Sequence, residues 1–512
     1  MSYPVLALLV GAPLVCGAAA ARVGRGPAHL AAALAMFAIA GGAALARPDG
    51  YLAIGDAQLG LTPLARLELG FLAGVGALLA AYHWLSGRAA LLPALLPPLA
   101  ACVAAARLAG SNLLVAASFL LLAALLTSLV MIDEQPEWQA SPAGAIYLTL
   151  TALGSLAVLF GFVLANLQRL SPGGLVTLPF VVAALSVGLA LHWGVAPLHF
   201  WVPTAVQRAG PASAALAICL VGPAALGLVL QALAAQPQLI VDERVNRYLT
   251  GGGLFTAAFG AAAAFAPAPF RRTLGYVLVA DMGLVLAGLA TATRLGVAGA
   301  ALHMAHRSLA ALLLLGAAAE LERDDRGWPD TAPTAADVEA RDPSTETGGR
   351  GDAGPALEAP PEPFEGRSEG TRARGEVATR AGRRCPRGAG GAGRPVAGPY
   401  MWGTLLVGSL ALTGAPPLGG FAANWAIYQA ASLSDWRLSM ALAAAEVACL
   451  AALVAALGRR RREYPRPWRR PRAVEWFLMA LCAAVGLWGM APGPALGAVH
   501  GAVGHLAFLK PF

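Results

Sequence analysis

Residues 192–203 read His-Trp-Gly-Val-Ala-Pro-Leu-His-Phe-Trp-Val-Pro, inside an apolar run, 175–207, that is longer than one membrane crossing needs. About 20 apolar residues carry a helix across a bilayer, where no backbone N–H or C=O can be left unpaired. Proline removes a backbone donor and clashes with the preceding turn. Gly194-Val195-Ala196-Pro197 therefore predicts two half-helices with free backbone ends at membrane depth. A second long run, 400–432, repeats the pattern at Gly414-Ala415-Pro416-Pro417-Leu418-Gly419-Gly420. Free ends of this kind are tolerated where they line protein or water, and a pair in corresponding halves of a chain marks transporters built from inverted repeats, with the ion path at the breaks.

The rest of the chain agrees with a membrane setting. Of 512 residues, 57% are hydrophobic and 12% charged, against about 25% charged in a soluble protein. A soluble enzyme is excluded on that balance. Apolar spans near 4–22, 28–46, 68–86, 90–109, 112–132, 144–166, 175–207, 211–235, 250–268, 272–293, 296–320, 400–432, 436–458 and 473–492 predict an all-α polytopic membrane protein of about fourteen transmembrane helices. The first span lacks a basic leader and reads as a helix rather than a cleaved signal. The tail 493–512, interrupted by Gly and Pro, reads as a surface or partial helix. The six cysteines form no C-x-x-C pair, so neither a cluster nor a zinc site follows; no metal, cofactor, nucleotide loop or nucleic-acid-binding feature is expected.

Basic residues are retained on the cytoplasmic side. With the N-terminus outside, the inner short loops hold Arg22, Arg25, Arg88, Arg208, Arg271, Arg272 and the eight arginines from Arg459 to Arg472; the outer ones hold Arg47, Arg66, Arg107, Arg169, Arg244, Arg247, Arg294 and Arg437. This balance predicts an inner (plasma) membrane protein with both termini outside. Residues 321–398 are rich in Pro, Gly, Glu and Arg and read as a disordered cytoplasmic insertion, a solvated linker whose basic tract could touch anionic lipid or a partner. The expected organisation is a four-helix segment over 1–109, a first repeat and the start of a second over 110–320, the insertion, the remainder of the second repeat over 399–458, and a basic loop with a final helix over 459–512.

Four stretches carry a family resemblance. Pro197 to Pro203 (PLHFWVP), Phe270 to Tyr276 (FRRTLGY), the segment His303 to Leu313, and Pro416 to Phe421 (PPLGGF) resemble, in order and spacing, the motifs of the antiporter-like, proton-conducting membrane subunits of respiratory complex I (NADH-quinone oxidoreductase) and of Mrp-type cation/proton antiporters. The resemblance implies two inverted five-helix repeats, each with a broken helix, and a midplane row of Glu and Lys that moves protons while redox chemistry proceeds elsewhere. It also implies partners: other membrane subunits of a respiratory or antiporter complex, with quinone reached through a neighbouring subunit. The chain departs from the family where the charged row should lie. The fifth-helix carboxylate falls on Leu121, and the lysines fall on His192, on Gly222 or Pro223, on Ala310 or Ala311, and on Asn424; the sole lysine is Lys510.

The ionisable groups left at membrane depth are His192 and His199 around the first break, Asp281, His303, His306, Arg307 and Glu446. Each costs about 2.5–3.5 kcal/mol to insert and so asks for a reason. His303, His306 and Arg307 share one helix face by their spacing of three and four, with Asp281 a partner for Arg307. His192 can stand in for a lysine, because imidazole titrates near pH 6.5 and alternates between donor and acceptor; equally it can be a neutral group bonded to a freed carbonyl. Glu446 reads as a proton site or a protein-facing hydrogen bond, and His29, His83, His500 and His505 as interfacial. Two functions remain open: ion translocation through this reduced set, or a non-conducting scaffold subunit.

Overall fold

A computed structural model describes residues 2–47, 51–54, 57–87, 91–110, 112–134, 142–170, 178–237, 240, 243–326, 396–397, 399–463, 468–506 and 508–509. The protein is an all-α, multi-pass membrane protein in which, among the described residues, ten helices are long and apolar enough to cross a bilayer. In chain order the helices are α1 Tyr3–Ala20, α2 Arg25–Leu45, α3 Pro63–Ser86, α4 Leu92–Leu108, α5 Leu113–Asp133, α6 Pro142–Leu170, α7 Leu178–Trp193 and α8 Trp201–Arg208. They continue as α9 Pro211–Ala235, α10 Glu243–Ala264, α11 Phe270–Ala290, α12 Arg294–Arg326, α13 Pro399–Leu412, α14 Gly420–Ser432, α15 Trp436–Glu463, α16 Ala473–Met490 and α17 Gly493–Val503. Among the described residues, strands are confined to a hairpin, Tyr51–Ile54 with Ala57–Gly60, and a two-residue parallel pair, Val396–Ala397 with Trp468–Arg469. These elements form one unit, and of the expected insertion, 321–398, residues 327–395 and 398 lie outside the described residues.

Burial sorts the helices. Over its 18-residue apolar stretch α9 is 94% buried, as is α11, and α12 83%, whereas α1 and α16 are 28% buried. A helix that is apolar all round belongs inside other helices. α12 is accordingly the axis of the unit, packed against α9, α11, α13, α14, α16, α17 and α3. The outer helices turn Phe37, Phe160, Leu170, Phe180 and Tyr248 outward, as lipid contact requires.

At one membrane surface an arginine–carboxylate network ties the ends together. Arg271 meets Glu322 at 3.5 Å and the carbonyl of Ala209; Arg323 meets Glu320 and the carbonyl of Ser86; Arg460 meets Glu322 and Arg472 meets Glu320. Arg469 is paired with Glu475, a fully buried carboxylate. These pairs explain why α12 runs to Arg326, beyond the expected span end at residue 320. The third span likewise starts earlier than expected, at Pro63, where Thr62 caps the helix by accepting from the Ala65 N–H.

Candidate functional site

The two helix breaks are built alike. α7 ends at Gly194 (φ 65°) and α13 at Gly414 (φ 68°), the left-handed conformation that glycine adopts without a Cβ penalty. The next N–H in each case reaches back five residues, Val195 to the Ala190 carbonyl and Ala415 to the Leu410 carbonyl, both at 2.9 Å. This is the Schellman closure of a helix C-terminus. The chain re-enters helix at Trp201 and at Gly420.

At each break a side chain donates to the carbonyl three residues before the glycine, and at the second break that carbonyl, Ala411, also accepts from the Gly414 N–H at 3.1 Å. At the first break the indole N–H of Trp201 donates to the Leu191 carbonyl at 2.9 Å. At the second, His306 on α12 places Nε2 at 2.8 Å from the Ala411 carbonyl. A carbonyl can only accept, so His306 carries its proton on Nε2. Its Nδ1, buried, has no partner among the described residues. The ring lies so close to the break that a Cβ on Gly419 would sit 2.8 Å from it, and Trp488 of α16 closes the other edge.

Around His306 the second break gathers the remaining buried ionisable groups. Arg307 Nε lies 3.8 Å from Asp281 Oδ2, and its Nη2 donates to the Leu278 carbonyl at 3.0 Å. His303 Nδ1 is 2.6 Å from Asn424 Oδ1. Glu446 of α15 is near enough to Asp281 for the two carboxylates to repel, and Tyr428 of α14 stands in the field of both. Asp281, His303, His306, Arg307, Asn424 and Glu446 are each no more than 5% exposed. Neither Asp281 oxygen, nor His303 Nε2, Asn424 Nδ2 or Glu446 Oε2, has a hydrogen-bond partner among the described residues.

The first break has no such company. His192 is buried with Nε2 2.9 Å from Ser155 Oγ, and its Nδ1 has no partner among the described residues. His199, beyond the break, is packed against Phe200, Phe259 and Tyr276, with Nδ1 3.2 Å from the Pro197 carbonyl. No hydrogen bond or ion pair joins either histidine to a charged side chain among the described residues.

These geometries coincide with several known folds. Residues 111–331 match the family described as NADH:quinone oxidoreductase/Mrp antiporter, transmembrane. A stretch of 125 residues is 35% identical to NADH-quinone oxidoreductase subunit N of Mycobacteroides abscessus, covering 24% of this chain and 23% of that relative. Two solved structures share the fold at 17% identity: the Mrp complex from Dietzia sp., with a TM-score of 0.72 over 99% of this chain and 98% of the other, and the archaeal membrane-bound sulfane sulfur reductase, with a TM-score of 0.73 over 99% and 100%. Residues 111–331 are similar to the antiporter-like membrane domain of that family. The sequence match to the Mycobacteroides relative thus spans less than a quarter of either chain.

Within this antiporter-like frame, the positions that the resemblance gives to lysine are apolar or neutral. Ala310 and Ala311 are fully buried, and Asn424 is bonded to His303. Two further buried polar pairs escape a reading of the sequence. Arg107 Nη2 lies 2.9 Å from Glu68 Oε2, against Gly227 of α9. Arg107 is therefore not a loop residue: it occupies the last turn of α4, 2% exposed. His29 and His83, expected at the interface, are buried instead, their rings stacked with Nε2 and Nδ1 2.8 Å apart; His29 Nδ1 meets the Arg25 carbonyl at 2.7 Å. Ser155 is the third omission, because a lone serine in an apolar helix gives no signal of its partner.

Proposed function

We propose that this chain is the ion-translocating membrane subunit of a complex I-like or Mrp-like assembly, with the cluster behind the second break as its proton-handling site. The observation that carries the reading is His306. It donates from Nε2 to the Ala411 carbonyl at the break and keeps a buried Nδ1, without a partner among the described residues, ready to accept a proton. An unmet buried polar atom costs about 1–3 kcal/mol. Several of them around one break favour water or a proton reaching the site. Guanidinium stays charged at any physiological pH, so Arg307 is the fixed cation, and Asp281, Glu446, His303 and His306 are the groups whose protonation can change.

The finer architecture belongs to the same reading: fourteen crossings, two inverted five-helix repeats related through Gly194/Gly414 and Pro197/Pro417, and both termini outside. Supporting the orientation, the ends tied by Arg271, Arg323, Arg460 and Arg472 are those of the arginine-rich loops, which basic-residue retention assigns to the cytoplasm. Partner subunits, a redox-driven assembly and a neighbouring quinone-dependent subunit follow from the family alone. The absence of lysine before Lys510 favours the second reading, a scaffold that completes a row of related subunits without conducting. Proton flux by the assembled complex in vesicles separates the two. Conduction predicts that Glu446→Gln or His306→Ala lowers flux by about a hundredfold, the scale of a lost proton-transfer group. Unchanged flux in both variants assigns the scaffold role.

A further inference from the structure

A cavity of about 230 Å³ lies between α6, α7, α9, α10 and α11, walled by Phe162, Val182, Trp193, Ala232, Tyr248 and Leu286 among others. Its walls are almost wholly apolar. It follows α7 from Val182 to Trp193, about 16 Å at the rise of a helix. Its deep end is the first helix break, where Trp193 and Val195 close it. Tyr248, which lines it near the start of α10, is 76% exposed, so the cavity opens there to the surroundings of the bundle. Arg247, also exposed, stands on the same turn of α10 as Val245, Tyr248 and Leu249 of the lining.

This arrangement has one chemically consistent occupant. Tyrosine and arginine side by side at a helix start are the residues that anchor at lipid headgroup level. The bilayer supplies chains of matching length and polarity, and an empty apolar void forfeits dispersion contacts on its lining. We infer that the cavity holds one acyl chain of a phospholipid whose phosphate is met by Arg247, with the chain end against the first break. The inference does not depend on whether the second break conducts protons. It assigns the first break a lipid neighbour in place of the polar one found at the second.

The test uses the full chain in nanodiscs of phospholipid brominated either near the methyl end or near the ester. Emission from Trp193 is taken as the difference between the wild type and Trp193→Phe. The expected result is strong quenching of that emission by methyl-end bromine and weak quenching by ester-end bromine. Filling the cavity by Ala232→Phe removes the quenching, and the milder Ala232→Val removes part of it with the fold intact by thermal melting. In detergent, titration with phospholipid gives a midpoint that Arg247→Glu shifts by about fivefold, the weight of one arginine at a headgroup. Absence of quenching, or equal quenching in the Ala232 variants, overturns the site. An identical midpoint for a phosphate-free long-chain alcohol or a quinone, unmoved by Arg247→Glu, overturns the phospholipid assignment.

Discussion

The two helix breaks share a backbone and differ in who serves it. At the first, the freed Leu191 carbonyl is met by the indole of Trp201, from the second half of the same crossing. At the second, the equivalent Ala411 carbonyl is met by the imidazole of His306, from α12. An indole N–H never changes its protonation near neutrality, and an imidazole does. The group that serves the carbonyl is thus fixed in its protonation in one half of the chain and titratable in the other. The charged residues follow suit: Asp281, Arg307 and Glu446 lie on the side of the second break, while the first has the imidazoles of His192 and His199 among Ser155 and aromatic rings, without a charged partner among the described residues.

The largest effect should come from splitting the charge pair at the second break. Asp281→Ala leaves Arg307 without its carboxylate and should cost about 3–5 kcal/mol in a denaturation or thermal-melt series. The double change Asp281→Leu with Arg307→Met should recover most of that loss, because the penalty lies in the stranded charge. Glu68→Ala should match Asp281→Ala through Arg107, and an equal cost there would show that buried pairing alone does not mark the half proposed to conduct.

Next come the helix endings. A residue with a Cβ in the left-handed region costs about 1–2 kcal/mol. Gly194→Ala and Gly414→Ala should each lose more than that, because the new methyl groups would meet Val202 and Asn424, and Gly414→Ala should in addition disturb the Asn424 bond to His303. A loss of only about 1–2 kcal/mol at either position, read from melting, would mean that Val202 or Asn424 yields freely.

The contrast sharpens when the carbonyl donors are exchanged for groups that cannot donate. Trp201→Phe should cost about 1–3 kcal/mol for the stranded Leu191 carbonyl, and His306→Phe less, because the Ala411 carbonyl keeps the Gly414 N–H. Only His306→Phe should also lower proton flux in vesicles; a matching fall in Trp201→Phe would abolish the distinction between the halves. The smallest effect is expected from Ser155→Ala, about 1 kcal/mol for one hydrogen bond to His192, with flux unchanged.

What could be read from the sequence was local. Gly194-Val195-Ala196-Pro197 and Gly414-Ala415-Pro416-Pro417 announce their breaks because glycine and proline act on their own backbone. His303, His306 and Arg307 announce a shared helix face because helical spacing is fixed. What could not be read was pairing at a distance. Glu68 and Arg107 meet across 39 positions, and His29 and His83 across 54, and no periodicity connects either pair. Arg107 resembles a loop residue for the same reason that Glu68 resembles a span edge: each stands near the end of an apolar run, and only the other makes it affordable inside. The end of α12 was hidden likewise, since Glu320, Glu322 and Arg323 look like the start of a polar insertion until Arg271, Arg460 and Arg472 are brought beside them.

One consequence of α12 reaches past chemistry. The helix carries His306 at its middle and Glu320 near its end, without a proline between them, so the two are held about 21 Å apart along a single shaft. A docking event that tugs the surface arginines would be delivered mechanically to the imidazole, as a push at one end of a rod is felt at the other.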